Sequence, residues 1–262
     1  MRVEPIACLS DNYAYLVVDE RAKVCVVVDA SEGAPVLAAI ERAQLPLVAI
    51  LSTHHHGDHV GGNEAVLARH PMAQVFGHRS DLARIPGLSR PVDDGERFTL
   101  GELEVTALHV PGHTSGAVTF VVRDPSAASE PAWAFTGDTL FLAGCGRLFE
   151  GTPAQMYRSL NEVLARLPDE TKIACGHEYS QSNLRFARHV EPHNERVIAR
   201  AKEVDALRAK GTPTVPGTIA MERATNPFMR VSEAAVRAHV GLDEGADPVE
   251  VLARLRKEKD SF

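Results

Sequence analysis

Four potential metal ligands fall within six residues of this chain: His54, His56, Asp58 and His59, in the stretch Ser52-Thr-His-His-His-Gly-Asp-His-Val-Gly-Gly62. Imidazole and carboxylate together suit zinc, iron or manganese, and nothing in the stretch is soft enough to demand copper. It follows an apolar run that reads as a buried strand. Residues two apart in an extended segment point the same way, so His54 and His56 can converge while His55 points elsewhere. Gly57 then permits a turn into a helix beginning near Val60, which can swing Asp58 and His59 toward the same pocket. Adjacent side chains cannot reach every corner of one tetrahedron. The pattern therefore invites two ions, each completed from elsewhere in the chain. Three candidates stand beside a glycine near an expected strand: His113 in Pro-Gly-His-Thr, Asp138 in Thr-Gly-Asp-Thr and His177 in Cys-Gly-His-Glu. A preceding glycine allows tight turns and close approach, and strand ends are where α/β proteins place their sites. The remaining histidines, His55, His70, His78, His109, His189, His193 and His239, read as ordinary surface or core residues.

The elements that must position these residues change character along the chain. Valine-rich extended runs are expected at Tyr13 to Val18, Lys23 to Asp29 and Pro46 to Ser52, with a helical pattern over Ala34 to Ala43. Further strands are expected at Ala73 to Phe76, Leu103 to His109, Ala117 to Arg123, Ala132 to Thr136 and Thr171 to Cys175. Met156 to Leu167 has helical spacing behind the start signal Thr152-Pro153, and Ser126 to Pro131 reads as a surface loop. Beyond about His177 helices dominate: Leu184 to Val190, Glu195 to Lys210, Glu233 to Val240 and Val249 to Lys257. The expectation is a mixed α/β domain over residues 1–178 and a helical one over 179–262.

The motif order HxHxDH, then His113, Asp138 and His177, resembles the metallo-β-lactamase superfamily. That resemblance implies an α+β fold, an αββα sandwich of two sheets flanked by helices, with a C-terminal all-helical domain. It also implies that His54, His56 and His113 hold one ion, that Asp58, His59 and His177 hold a second, and that Asp138 bridges both. Within the superfamily the chain is similar to the glyoxalase II (hydroxyacylglutathione hydrolase) family along essentially its whole length. The matching stretches are Leu9-Ser-Asp-Asn-Tyr13, Phe135-Thr-Gly-Asp-Thr-Leu-Phe141, Ala143-Gly-Cys-Gly-Arg-Leu-Phe-Glu-Gly-Thr152, Cys175-Gly-His-Glu-Tyr179, Asn226-Pro-Phe-Met-Arg230 and the tail Arg256 to Phe262.

The implied reaction is hydrolysis of the thioester S-D-lactoylglutathione to D-lactate and glutathione, the second step of methylglyoxal detoxification. The implied cofactors are two divalent ions, zinc first, with iron or manganese as alternatives. Two such ions sharing a water lower its pKa toward about 7 and make hydroxide available. Asp58 and Asp138 are the implied catalytic carboxylates, Asp58 orienting the nucleophile through its free oxygen. By the same resemblance Arg147, Phe149 and Tyr179 line the peptide, while Arg256 and Lys259 meet the glycine carboxylate, for which a guanidinium fork is well shaped. Asn183 is a weaker candidate. Many family members carry Lys-Phe-Tyr where this chain has Arg147-Leu148-Phe149, so one possible hydroxyl contact is missing. The alternative within the superfamily is a related glutathione-linked metallohydrolase or a persulfide dioxygenase; a non-catalytic metal- or glutathione-binding protein is the rival of another class.

Bulk properties agree with a small-molecule substrate. The 262 residues are 44% hydrophobic and 24% charged, as in an ordinary globular protein. The formal charge of −7 argues against nucleic acid as a bulk electrostatic partner. No apolar run reaches the roughly 18 residues a membrane span needs. Met1 to Ser10 contains Glu4 and Pro5 and lacks a signal-peptide core. Four scattered cysteines, with no CxxC pair, are expected to be reduced thiols. A cytoplasmic monomer without membrane or nucleic-acid partners is expected.

Overall fold

The computed structural model describes all of residues 1–262. It divides into two compact units, one made of Met1–His109, Gly116–Gly137 and Ala174–His177, the other of Val110–Ser115, Asp138–Ile173 and Glu178–Phe262.

The first unit is built on a six-stranded sheet in the order β1 (Arg2–Cys8), β2 (Asn12–Asp19), β3 (Val24–Val28), β4 (Leu47–Leu51), β5 (Gln74–His78), β6 (Leu88–Val92). The first two pairings are antiparallel and the last three parallel. Parallel neighbours need a crossover, and here helices supply it: α1 (Gly33–Ala43) between β3 and β4, and α2 (Gly57–Val60) with α3 (Asn63–Arg69) between β4 and β5. β1 and β6 have no counterpart among the expected strands. Both are edge strands and both contain a proline, Pro5 and Pro91, which a ladder accepts only at its margin. The helix expected near Val60 is split by Gly61 and Gly62. Gly62 donates to the Ala30 carbonyl at 2.7 Å, and a Cβ there would lie 2.6 Å from that same oxygen.

A second sheet contains β7 (Arg97–Leu100), β8 (Leu103–His109), β9 (Val118–Arg123) and β10 (Trp133–Gly137), paired as antiparallel neighbours in chain order. Period-2 alternation then sorts the valines of the first sheet. Leu16, Val18, Val27, Ile50 and Val75 join Val36, Ala39 and Ile40 of α1 in one buried core. Val17, Val26 and Leu51 instead meet Leu100, Leu103, Val105 and Val122 of the second sheet. Phe76 stacks on Phe98 at 4.6 Å and Tyr15 meets Phe135 edge-on at 5.4 Å across the same layer. This is the helix–sheet–sheet stacking of the expected sandwich.

The second unit carries a short hairpin, β11 (Leu140–Phe141) with β12 (Gly144–Cys145). The expected helix Met156 to Leu167 is wound unevenly: α4 (Pro153–Tyr157), a π turn over Arg158–Val163 and a 3-10 turn over Leu164–Arg166. Thr152 and Gln155 form a reciprocal capping box at its start. Met156, Leu160 and Leu164 stay buried through the change of winding, while the Ser159 hydroxyl donates to the Pro111 carbonyl at 2.7 Å. Strand β13 (Lys172–Cys175) pairs through Lys172 and Ile173 with the two-residue strand β14 (Gly217–Thr218). The rest is helical: α5 (Ser180–Val190), α6 (Glu195–Arg208), α7 (Ile219–Thr225), α8 (Ala234–His239) and α9 (Pro248–Ser261). Asp247 caps α9, Pro248 occupies its first turn, and Val251, Leu252, Leu255 and Arg256 form its buried stripe. All four cysteines are buried free thiols, and no helix is long and apolar enough to cross a membrane.

Candidate metal centre and substrate contacts

In the first unit the end of β4 delivers Thr53 and His54, the turn beyond it His56, and α2 carries Asp58 and His59. His177 follows β13, where Tyr13 donates its backbone N–H to the Gly176 carbonyl at 2.8 Å and Asn12 bridges to His177. Ligand atoms of Asp58, His59 and His177 all lie within 4.8 Å of one another. His54 Nε2 is 3.2 Å from His56 Nδ1, and the His54 and His59 rings are 4.1 Å apart.

Each ring is oriented from behind. His59 Nδ1 lies 2.9 Å from Asp29 Oδ2, and His177 Nδ1 lies 2.7 Å from Asp11 Oδ1. Thr53 Oγ1 donates to Asp29 Oδ2 at 2.8 Å, which leaves Oγ1 to accept from His54 Nδ1 at 3.1 Å. These acceptors hold the ring proton on Nδ1 and leave the Nε2 lone pair for a ligand bond. His177 Nε2 then faces Asp58 Oδ2 at 3.3 Å. An imidazole nitrogen and a carboxylate oxygen converging this closely are a ready pair of donors for a cation, and Asn12 Nδ2 reaches the same nitrogen at 3.3 Å. The donor set therefore fits a divalent ion: imidazole nitrogens with a carboxylate, Asn12 steadying Asp58 Oδ2 by an amide donor at 3.0 Å.

In the second unit His113 shows the same logic. Its Nδ1 donates to the Arg147 carbonyl at 2.9 Å, and its Nε2 faces Asp138 Oδ2 at 3.5 Å. The glycines before the two ligands are needed as such: Gly112 has φ +152° and Gly137 φ +49°, and a Cβ at Gly137 would lie 2.3 Å from Thr53 Oγ1.

The expected glutathione contacts all fall in the second unit. Arg147 Nε and Arg256 Nη2 approach the same Asp260 oxygen at 3.6 and 3.2 Å. Arg256 is 6% exposed, donates to the Cys145 carbonyl at 2.7 Å and lies over the Phe228 ring. Lys259 donates to the Ser182 carbonyl at 3.2 Å between the rings of Phe186 and Phe262. Burial, with Arg256, Arg185 and Arg147 nearby, lowers the Lys259 ammonium to about 8. Three expected cations are thus brought together. Phe149 is exposed and meets the His113 ring edge-on at 5.3 Å, and Tyr179 meets Phe141 in the same way at 5.3 Å. Asn183 is buried and donates to the Leu142 carbonyl at 3.1 Å, bracing the β11–β12 turn.

Two family models divide the chain between them. Residues 10–177 match the metallo-beta-lactamase superfamily, and residues 178–262 match the hydroxyacylglutathione hydrolase C-terminus. The chain belongs to the hydroxyacylglutathione hydrolase family. A protein of that name from Rhodospirillum rubrum is 46% identical over 260 residues, covering 99% of this chain and 98% of its own. The crystal structure of ETHE1 from Myxococcus xanthus is 25% identical, with a TM-score of 0.69 over 98% of this chain and 91% of that one. TTHA1623, solved in a di-iron-bound form, is 27% identical with a TM-score of 0.59, over 86% of this chain and 99% of its own. Family membership and the His/Asp sets together make this a divalent-metal-binding sandwich.

Asp29, Asp11, Asn12 and Thr53 are supporting residues that spacing alone did not single out. Asp29 adopts φ +51°, a left-handed conformation that aspartate tolerates better than most residues. Its carboxylate accepts from Thr53 N at 2.7 Å as well as from the Thr53 hydroxyl and His59. The available signal was a polar residue closing the run Val24 to Val28, a strand end facing the site. Asp29→Ala is expected to weaken metal binding about 10–100-fold, the usual cost of removing a ligand's hydrogen-bond support. Competition against a chromophoric chelator measures it, and unchanged affinity would show that His59 needs no such partner.

Proposed function

We propose that this chain hydrolyses S-D-lactoylglutathione to D-lactate and glutathione, with two divalent ions, zinc foremost, as a cytoplasmic monomer. In this reading His54, His56 and His113 serve one ion, Asp58, His59 and His177 the other, and Asp138 both; residues 179–262 form the glutathione-binding domain. The observation that carries the substrate assignment is the gathering of Arg147, Arg256 and Lys259 in a chain of net charge −7. Glutathione presents two carboxylates, and a local cationic grip is what such a substrate requires.

Bound ions supply an acidified water and polarise the thioester carbonyl. The chain's own residues do the rest. Asp58, held by Asn12, keeps one oxygen available to orient the nucleophile. Arg147 lines the peptide, while Lys259 and Arg256 meet the glycine carboxylate, Arg256 being anchored by its bond to the Cys145 carbonyl. Phe149 and Tyr179 offer apolar surface to the peptide. The leaving thiolate has a pKa near 8.5, so no strong general acid is needed.

Purified protein is expected to hydrolyse lactoylglutathione and to form no sulfite from glutathione persulfide. The reverse outcome would move it to the persulfide-oxidising branch. A second measurement tests the cationic grip. Lys259 loses its proton near pH 8, so KM should rise between pH 7 and 9 with kcat nearly level. Lys259→Arg should flatten that rise, and Lys259→Ala should carry the high KM at all pH values. A KM independent of pH in the wild type would remove Lys259 from the substrate contacts.

A further inference from the structure

Two histidines read from sequence as ordinary residues, His189 of α5 and His239 at the end of α8, converge in the second unit on Glu258 of α9. His189 Nε2 lies 2.9 Å from Glu258 Oε1. His239 Nε2 lies 3.1 and 3.0 Å from the two oxygens of the same carboxylate. The two rings stand edge to face, 4.9 Å apart at 85°. We propose that His189, His239 and Glu258 form a further site for a divalent transition-metal ion, which ties together α5, α8 and α9.

Geometry supports an ion here. Tetrahedral bonds of about 2.1 Å place ligand atoms about 3.4 Å apart. The His–Glu separations of 2.9 to 3.1 Å need to widen by only a few tenths of an ångström, and all three ligand atoms lie within 4.8 Å of one another. Two histidines and one carboxylate, with the remaining positions open to water, form a ligand set that binds zinc and iron elsewhere in protein chemistry. His189 is 48% exposed at the side chain, so water can reach those positions.

The surroundings select the class of ion. His189 lines a surface depression with Arg185 and Arg188, and Lys259 follows Glu258 on α9. These positive charges oppose hard cations such as calcium or magnesium, which are held mainly by charge on oxygen ligands. Imidazole donors instead favour zinc, nickel or copper through the bond itself. Glu258 stands between Lys257 and Lys259 in the last turn of α9, so occupancy ties that turn to α5 and α8.

The test is Zn(II) stoichiometry by equilibrium dialysis and elemental analysis, comparing wild type with His239→Ala and Glu258→Gln. Wild type is expected to bind one equivalent more than either variant, whatever number the sandwich ligands hold. That last equivalent should raise the wild-type Tm by a few degrees and leave the variants' Tm unmoved. Because the half-exposed His189 contributes less to packing, His189→Ala provides the comparison if His239→Ala fails to fold. Equal stoichiometry in folded wild type and variants would overturn the proposal, leaving a hydrogen-bonded cluster in which Glu258 accepts from both imidazoles.

Discussion

Replacing His54 or Asp138 with alanine is expected to lower kcat/KM for lactoylglutathione by at least about 10³-fold. The comparison is with supporting residues such as Asp29, whose loss is expected to cost about 10–100-fold, and with single oxyanion donors, at about 10²–10³. A ligand lost outright removes both the activated nucleophile and the carbonyl polarisation, so its cost exceeds either. His54 gives up the ring held by Thr53 on one side and facing His56 on the other. Asp138 gives up the carboxylate facing His113. Both should lose bound metal by elemental analysis while keeping the wild-type far-UV circular dichroism. Substantial turnover in a folded, metal-depleted variant would refute a metal-dependent reaction.

Glu222→Gln is expected to change the pH dependence of stability strongly. Glu222 is fully buried in α7, accepting from Ala143 N at 2.8 Å and from Asn226 Nδ2 at 2.9 Å. Burial raises its carboxyl from 4.5 to about 7, against the lowering effect of those hydrogen bonds and of Arg200. Below pH 4.5 the folded and unfolded chains both carry the proton, and the full contribution to stability is present. Between 4.5 and 7 the unfolded chain releases a proton that the folded chain retains, so stability falls as pH rises. At about 1.4 kcal/mol per pH unit the loss amounts to roughly 3 kcal/mol by pH 7.5. Glutamine keeps an acceptor for Ala143 and cannot ionise. Relative to wild type, the variant should gain about 3 kcal/mol between pH 4.5 and 7.5 in urea unfolding. A difference that stays constant over that range would show that Glu222 ionises normally in the folded protein.

The catalytic sandwich was legible to a large degree because its signals are local. Val24 to Val28 and Leu47 to Leu51 are valine- and leucine-rich runs, and burial on both faces explains why they do not alternate. The edge strands Arg2–Cys8 and Leu88–Val92 are not legible in the sequence because prolines and exposed charges, which suit an edge, are the features that argue against a strand. Met156 to Leu167 read as one helix because Met156, Leu160 and Leu164 keep helical spacing. Its π and 3-10 winding leaves that spacing intact and so carries no signature in the apolar pattern.

By itself the sequence determined the ligand types and their chemistry. His54 to His59 lie within six residues, and His113, Asp138 and His177 each follow a glycine that permits the required turn. What only the tertiary structure decided is which groups stand behind those ligands and what the remaining charged residues do. Asp29 reaches His59 across 30 positions, and Asp11 reaches His177 across 166. Arg256, expected to meet the glycine carboxylate, is buried against Cys145 and Phe228. His189, His239 and Glu258 come from three helices and meet within hydrogen-bond distance. The physical reason is the same in each case. A ligand motif is a property of neighbouring residues, whereas convergence of distant side chains depends on how helices and sheets pack, and no local pattern of residues encodes that.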